Sequence, residues 1–214
     1  AVMHGLWRSA TEKSGCAVLL LNENPDYEVK TLNSIAQSVF NGPRFKRPYA
    51  DDGVTSGEGI RKFFTGTAIT QLHGENVKYL DENKCNKQLL KQLKVLTIHK
   101  GYILISDSGT LGRITYALEQ HDGHVATNNL IRVVIEDENL RGYVYQFLKS
   151  PTGQSLILKN AYGTNQEHLE PDVIANILIP IPKDENIIKE IGGKVIASIE
   201  ALESSIRDND EANR

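Results

Sequence analysis

The C-terminal part of the chain has the clearest pattern of apolar positions. Apolar residues recur there every three or four places, which puts them on one face of a helix that we predict within residues 183–214. An apolar strand over residues 176–182 precedes this helix and ends with Pro180 and Pro182, neither of which can donate to a sheet. We therefore expect a globular domain over residues 1–182 and an exposed amphipathic helix after it. The helical stripe, called the apolar stripe below, consists of Ile188, Ile191, Val195, Ile199, Leu202 and Ile206.

The rest of the chain predicts strands and helices that are interleaved without a regular order. Short runs of β-branched and other apolar residues predict strands over residues 16–21, 60–70, 102–105, 113–117 and 129–135. Apolar residues at helical spacing predict helices over residues 29–40, 81–94, 140–150 and 154–159. Because there is neither an internal repeat nor a strict alternation of strand and helix, the pattern favours an α+β domain.

Length and composition are those of an ordinary globular protein. The 214 residues, 40% of them hydrophobic and 24% charged, are enough for one domain with a sizeable core and an appendage. The two cysteines, Cys16 and Cys85, form no disulfide framework, so we expect a reducing compartment. The apolar run at residues 16–21 is too short to span a bilayer and is interpreted as a buried strand.

The charge is unevenly distributed along the chain. Residues 183–214 hold five basic and eight acidic side chains, whereas residues 1–182 hold nineteen of each. Within that neutral part, residues 40–62 and 78–100 are locally basic. Local basic patches attract phosphates even when the total charge is −3, although a solvated surface explains the lysines of residues 78–100 equally well.

Several segments have only part of a catalytic or metal-binding motif. Residues 24–27 are similar to the Asn-Pro-Pro-Tyr loop of adenine methyltransferases, but the third residue differs and no glycine-rich cofactor loop precedes them. Residues 25–30 mimic a nuclease signature whose acidic groups normally converge from two strands, which adjacent residues cannot do. Residues 108–113 lack the spacing of a P-loop, and no third ligand accompanies His121 and His124. We therefore predict no catalytic residues, no cofactor and no metal site.

The loops between the predicted strands are rich in Arg, Lys, Asn, Gln, Ser and Thr. These side chains read base edges in duplex DNA, since arginine pairs with guanine acceptors and amides pair with adenine. Such loops are common on any surface, so composition alone leaves DNA recognition as one possibility among several.

Seven segments follow one another in an order and spacing that are found in a known family. The segments are residues 42–49, 59–64, 100–112, 127–131, 143–153, 163–166 and 179–182. Together they resemble the DNA specificity subunits of type I restriction–modification systems and the recognition domains of fused restriction–methylation enzymes. Residues 100–112 are similar to the family's Gly-Asp-Ile-Leu…Gly-Thr-Ile-Gly core. Two departures are Tyr102, where an acidic residue is common, and the Gly192-Gly193 pair.

The resemblance implies an α+β target-recognition domain with a twisted mixed sheet, followed by a helix that pairs antiparallel with another helix. In that family such units bind double-stranded DNA and direct a methyltransferase (modification) subunit and a restriction (motor) subunit to it, in the prokaryotic cytoplasm, and perform no chemistry themselves. A full member holds two recognition domains and two helices. We therefore expect either a half-length subunit or a piece of a longer polypeptide. The alternative is a recognition fragment of a fused methyltransferase/endonuclease.

If the chain binds DNA in this way, the residue types of its loops predict two sets of DNA-contacting residues. Basic loops neutralise phosphates and fix the register, while amide and hydroxyl loops specify bases. Our candidates for the phosphate role are Arg44, Lys46, Arg47 and Lys62. Our candidates for positioning or base contacts are Ser108, Thr110, Arg113, Thr164, Asn165 and Gln166.

The C-terminal helix should not be stable by itself. Gly192 and Gly193 each cost roughly 1 kcal/mol relative to alanine, so the apolar stripe needs a partner. We expect that partner to be the helix of a second copy or of a second recognition half, with the glycines permitting close approach of two backbones. An enzyme fragment and a protein-interaction scaffold remain as competing classes.

Overall fold

The computed structural model describes residues 24–71, 77–162 and 168–212. The strand predicted over residues 16–21 lies outside them. The strands are β1 (Tyr27–Thr31), β2 (Ser38–Asn41), β3 (Ile60–Phe64), β4 (Lys78–Asp81), β5 (Ile103–Ser106), β6 (Ile114–Tyr116), β7 (Val125–Ala126), β8 (Leu130–Val134) and β9 (Leu178–Pro182). The helices are α1 (Leu32–Ile35), α2 (Lys87–Leu96), α3 (Glu138–Lys149), α4 (Pro151–Tyr162), α5 (Pro171–Ala175) and α6 (Glu185–Ala212).

The described strands form three sheets, where the sequence predicted one. The largest is antiparallel with the order β2-β8-β5-β6, and a second has the order β4-β3-β7, in which β3 and β7 run parallel. Strands β1 and β9 form a separate antiparallel pair. The α+β class and the long C-terminal helix are confirmed, and strand directions are mixed only within the sheet that contains β3.

The largest sheet is buried on both faces, which explains the continuous apolar run of β5. Ile103 and Ile105 pack in the main core beneath α3 and α4, whereas Leu104 joins a second core with Phe64 and Ile98. Successive side chains of a strand point to opposite faces, so a strand covered on both sides needs apolar residues at every position. Strands β5, β6 and β8 lie where the sequence predicted strands.

The helix predicted over residues 29–40 is wrong. Only the single turn α1 is helical there, and the flanking residues form β1 and β2. Val29 pairs with Pro180 of β9 and Val39 pairs with Val133 of β8. Pairing with distant strands therefore outweighs a local pattern that satisfies both helical and extended spacing.

Helix α6 crosses α3 with the two backbones in contact. A Cβ atom on Gly142 would lie 2.7 Å from the Gly192 carbonyl oxygen, and one on Gly192 would overlap the Asn139 carbonyl oxygen. Only glycine at both positions permits this approach. Gly193 is different, because a Cβ there would meet only the Asn139 Oδ1 atom, at 3.7 Å.

The apolar stripe of α6 packs against the same chain, which corrects the expectation that it is left for a second helix. Ile188 and Ile191 pack against the main core. Ile199, Leu202 and Ile206 form a smaller cluster with Tyr116 and Leu118, at the end of β6. Val195, the remaining member, is half-buried. The stripe needs a partner, as predicted, and α3 and β6 supply it within the domain.

A buried carboxylate fixes the C-terminal part of α6 to the domain. Glu203 is only 5% exposed. Its Oε1 atom accepts a hydrogen bond from the Glu119 amide at 2.7 Å, and its Oε2 atom accepts one from Lys100 Nζ at 3.0 Å. Charge-assisted hydrogen bonds to a buried carboxylate are strong and directional, so they fix the register of α6 against the end of β6.

Arg132 of β8 is fully buried and is held by main-chain carbonyl groups. Its guanidinium donates to the carbonyl oxygens of Leu130 at 2.6 Å, Leu96 at 3.1 Å, and Ala126 and Thr127 at 3.3 Å each. Burial lowers the pKa of Arg132 to about 10. A cation placed at the last residue of α2 also complements the negative end of that helix. Arg132 thereby joins α2 to the segment that connects β7 with β8.

None of the described helices has the length and apolar character that crossing a bilayer requires.

The glycine crossing predicts opposite effects for two adjacent substitutions. Gly192→Ala should lower the free energy of unfolding by about 1–3 kcal/mol, because the new methyl group forces α6 away from α3. Gly193→Ala is the matched control and should raise it by up to ~1 kcal/mol, since alanine favours the helix and has room. Urea denaturation measures both, and equal effects of the two substitutions would contradict the crossing.

Arg132 should be far more important for stability than an exposed arginine of the neighbouring hairpin. We expect Arg132→Met to lower the free energy of unfolding by about 3 kcal/mol, because buried carbonyl groups lose their donors. Arg113→Met, at an exposed position, should change it by less than about 0.5 kcal/mol. Thermal or urea unfolding of both variants checks this, and a near-neutral Arg132→Met would show that the carbonyl groups do not depend on the guanidinium.

Candidate nucleic-acid interface

A concavity of about 410 Å³, called the polar pocket below, opens where four segments meet. These are the loop between β5 and β6, the segment after β3, the segment between β7 and β8, and the segment between β2 and β3, which contributes Arg47. The described residues that line it carry hydroxyl, amide or guanidinium groups or are glycines, and none is acidic. They are Arg47, Thr65, Gly66, Thr67, Ser106, Ser108, Gly109, Thr110, Arg113, Thr127 and Asn129.

The loop between β5 and β6 presents Ser108, Thr110 and Arg113 to the pocket. The Ser106 amide donates to the Arg113 carbonyl, and the Gly112 amide donates to the Ser106 carbonyl, each at 2.9 Å. Gly109 and Gly112 have positive φ angles of 70° and 72°, a backbone conformation that would be strained in a residue with a side chain. The sequence predicted this loop as a turn that displays these three side chains, and the structure brings all three to one pocket.

The other walls of the pocket are tied to the buried framework. The Thr127 amide donates to the Phe64 carbonyl at 2.9 Å, and the carbonyl of Thr127 accepts from Arg132. The Asn129 carbonyl accepts from the Asp107 amide at 3.2 Å. The hydroxyl and amide groups of Thr127 and Asn129 therefore stand on backbone that is fixed from below.

The nearest carboxyl group in the loop is turned inward. Asp107 is 7% exposed, and burial raises its pKa, an effect that a hydrogen bond from Ser108 opposes. It lies between Ser106 and Ser108 in sequence, yet it does not line the pocket. The arginines of the pocket consequently face hydroxyl and amide groups, and an anionic or acceptor-rich ligand is favoured there.

Arg47 is held at the pocket by aromatic rings. Its guanidinium carbon lies 5.9 Å from the ring centre of Phe45 and 5.6 Å from that of Phe63. The two rings contact each other edge to face, with their centres 5.8 Å apart. Among the described residues no carboxylate lies within 4.0 Å of either Arg47 or Arg113, whereas Arg61 is paired with Glu82 at 2.7 Å.

The remaining basic candidates lie outside the pocket. Arg44 and Lys46 are on the loop that runs beside α2, where Gln92 Nε2 donates to the Arg44 carbonyl at 3.5 Å. Lys62 lies on β3 near His121. Thr164, Asn165 and Gln166 lie outside the described residues, so their predicted role is unchanged.

His121 and His124 have structural surroundings. His121 is buried, its Nδ1 atom accepts a hydrogen bond from the Leu118 amide at 3.0 Å, and its ring packs edge to face with that of Phe64. Burial, followed by the charge of Lys62, lowers the pKa of His121 to about 4, and the same two causes lower that of His124. Both rings therefore stay neutral at pH 7. In the described part of the chain, no three His, Cys, Asp or Glu side chains are grouped as a metal site would require.

Sequence reasoning missed five side chains of the pocket, which are Thr65, Thr67, Ser106, Thr127 and Asn129. Thr65 and Thr67 fell within a strand predicted to run to residue 70, although β3 ends at Phe64. The Thr-Gly-Thr sequence at residues 65–67 was the available signal, since a glycine between two hydroxyl residues often ends a strand. Asn129 was assigned to the strand that begins at Leu130.

A family model described as the type I restriction modification DNA specificity domain matches residues 24–207. No curated protein matches the sequence significantly.

Three solved structures are similar in fold. The HsdS subunit from Thermoanaerobacter tengcongensis is 14% identical, with a TM-score of 0.52 over 98% of this chain and 52% of its own. The type I restriction–modification S subunit from M. genitalium is 13% identical, with a TM-score of 0.54 over 97% of this chain and 55% of its own. A chain from a study of assembly and conformational transition of the type I R-M system is 15% identical, with a TM-score of 0.54 over 98% of this chain and 51% of its own.

At these identities the likeness concerns the fold, and the chain spans about half the length of each of these proteins. The family model, by contrast, covers most of the sequence, from the start of the described residues almost to the end of α6. The protein belongs to the type I restriction–modification DNA specificity domain family.

Proposed function

We propose that this chain is a sequence-specific DNA-recognition unit that directs a methyltransferase subunit and a restriction subunit to a target site. The observation that carries this proposal is the polar pocket, where hydroxyl, amide and guanidinium groups from four segments converge. These groups hydrogen-bond to base edges, and their convergence on a rigid body lets a short sequence be distinguished. The chain itself performs no chemistry in this proposal.

The proposed contacts with DNA are of two kinds, phosphate contacts and base contacts. Arg44, Lys46 and Lys62 neutralise phosphates beside the pocket and fix the register of the protein on the duplex. Ser108, Thr110 and Arg113 specify or position bases within the pocket. Thr164, Asn165 and Gln166 keep the same predicted role.

A second recognition unit pairs with α6 in this proposal, either as a second copy or as the other half of a longer chain. The apolar stripe is covered, so the pairing uses the outward side of the helix. Ala197, Ala201 and Ser205 recur there every fourth residue, and all three are exposed. Small side chains allow a second helix to approach closely, with charged residues at the rim of the contact.

Phosphate contacts predict a uniform loss of affinity. The double variant Arg44→Ala/Lys46→Ala should weaken binding to all duplexes alike and reduce the salt slope by about 0.9 for each phosphate that is no longer neutralised. Fluorescence anisotropy at several salt concentrations, with a duplex selected from a random pool and a scrambled duplex, measures both quantities. Lys189→Ala/Lys194→Ala is the matched control, because each of these α6 lysines is paired with a glutamate. An unchanged salt slope for the loop variant would exclude these two residues as phosphate contacts.

Pairing through α6 is testable in solution. Sedimentation velocity should show a concentration-dependent dimer, and Ala201→Glu should shift it to monomer because the glutamate prevents close approach. Ser34→Glu, which adds the same charge at an exposed position of α1, is the control and should leave the dimer intact. A monomer of the unaltered chain at the highest concentration reached would remove the homodimer and leave the second-half arrangement.

A further inference from the structure

We propose that Arg47 reads a guanine of the target sequence, with Phe45 and Phe63 holding its guanidinium in position for that contact. This inference rests on the proposed DNA recognition, and it specifies one residue and the base that this residue contacts. It also replaces the phosphate role that the sequence pattern suggested for Arg47.

The first observation is where Arg47 lies. It lines the polar pocket together with Ser108, Thr110 and Arg113, whereas its neighbours Arg44 and Lys46 do not. Phosphates occupy the outer ridges of a duplex and are reached from exposed loops. Base edges lie within the grooves, where a cluster of directional hydroxyl and amide groups is useful. Arg47 is exposed, as Arg44 and Lys46 are, but it alone of the three lies in the pocket among such a cluster.

The second observation is how Arg47 is held. Its guanidinium lies within 6 Å of two ring centres, at 5.9 and 5.6 Å, which is the range of favourable cation–π contact. Phe63 is a buried residue of β3, and Phe45 packs on it. A guanidinium fixed against rings loses less conformational entropy when it binds, and its N–H donors lie in one plane.

The third observation is that none of these donors is used by another residue that the structure describes. No hydrogen bond or ion pair of the Arg47 side chain joins it to another described residue. Arg61 and Arg141 differ, since each is bound to a glutamate and to other acceptors. An arginine whose guanidinium is held in place, but which donates to no described residue, is available to an acceptor group on a ligand.

Guanine is the base that matches these donors. Its major-groove edge presents two adjacent acceptors, N7 and O6, which a planar guanidinium contacts with two parallel hydrogen bonds. Adenine places a donor beside N7, thymine offers one acceptor and a methyl group, and cytosine offers a donor. A phosphate also has two acceptor oxygens, so the experiment must separate these two ligands.

The experiment replaces single atoms in the DNA. A binding sequence is first selected from a random pool with the unaltered protein. Each guanine in it is then replaced in turn by 7-deazaguanine, which lacks the N7 acceptor. We expect one position at which this replacement weakens binding of the unaltered protein about tenfold, and at which it has no effect on Arg47→Ala. Arg47→Ala itself should bind the selected duplex about 10- to 100-fold more weakly and should tolerate other bases at that position.

Three further variants make the result specific. Arg47→Lys keeps the charge but lacks the planar pair of donors, so it should lose discrimination at that position while its salt slope stays unchanged. Phe45→Leu, at a half-buried position, should reduce discrimination at the same position to a smaller extent. Arg44→Ala should keep the full sensitivity to 7-deazaguanine.

Two other outcomes are distinguishable. If Arg47→Ala weakens all duplexes alike, reduces the salt slope and leaves every guanine equally sensitive to replacement, Arg47 contacts a phosphate. That result overturns this inference and leaves the proposed function standing. If the unaltered protein enriches no sequence from the random pool, the proposed function fails, and this inference fails with it.

Discussion

The backbone contact between Gly142 and Gly192 determines where the C-terminal helix lies. Any side chain at either position would separate α3 from α6, and the apolar stripe would then lose its packing against Tyr116 and Leu118. The same docking brings Glu203 to the Glu119 amide. Strand β6, which the helix covers, follows directly after Arg113 of the polar pocket. The helix and the pocket are therefore parts of one packed unit, which in the proposed function holds a partner on the helix in a fixed relation to the DNA.

The charged residues near the pocket are of two kinds, since some are buried beneath it and others line it. Arg132 directs its donors to main-chain carbonyl groups beneath the pocket, and one of these belongs to Thr127 of the pocket wall. Asp107 is turned away from the pocket, where burial raises its pKa. Arg47 and Arg113 are left with no carboxylate partner among the described residues. A surface that binds acceptor groups requires a rigid backbone and hydrogen-bond donors that are not already used, and the pocket has both.

The sequence predicted local features of this arrangement and missed those that depend on distant contacts. The loop that displays Ser108, Thr110 and Arg113 was predictable because apolar strands and glycines mark its ends. Arg47 was recognised as a DNA-binding candidate, but its position against Phe63 comes from another strand and left no local signal. The apolar stripe showed that α6 needs a partner, whereas the identity of that partner depended on a glycine fifty residues earlier, Gly142. For the same reason, β1 and β2 were taken for a helix, since their partners β9 and β8 are remote in sequence.

Amide hydrogen exchange of the isolated chain tests the central claim most directly, which is that α6 is packed into its own domain. At a concentration where the chain is monomeric, the amides of residues 192–203 should be protected to about the same degree as those of α3, because both helices share the glycine crossing. Rapid exchange throughout α6 while α3 stays protected would show that the helix is docked only when a second chain is present. That result would contradict the account.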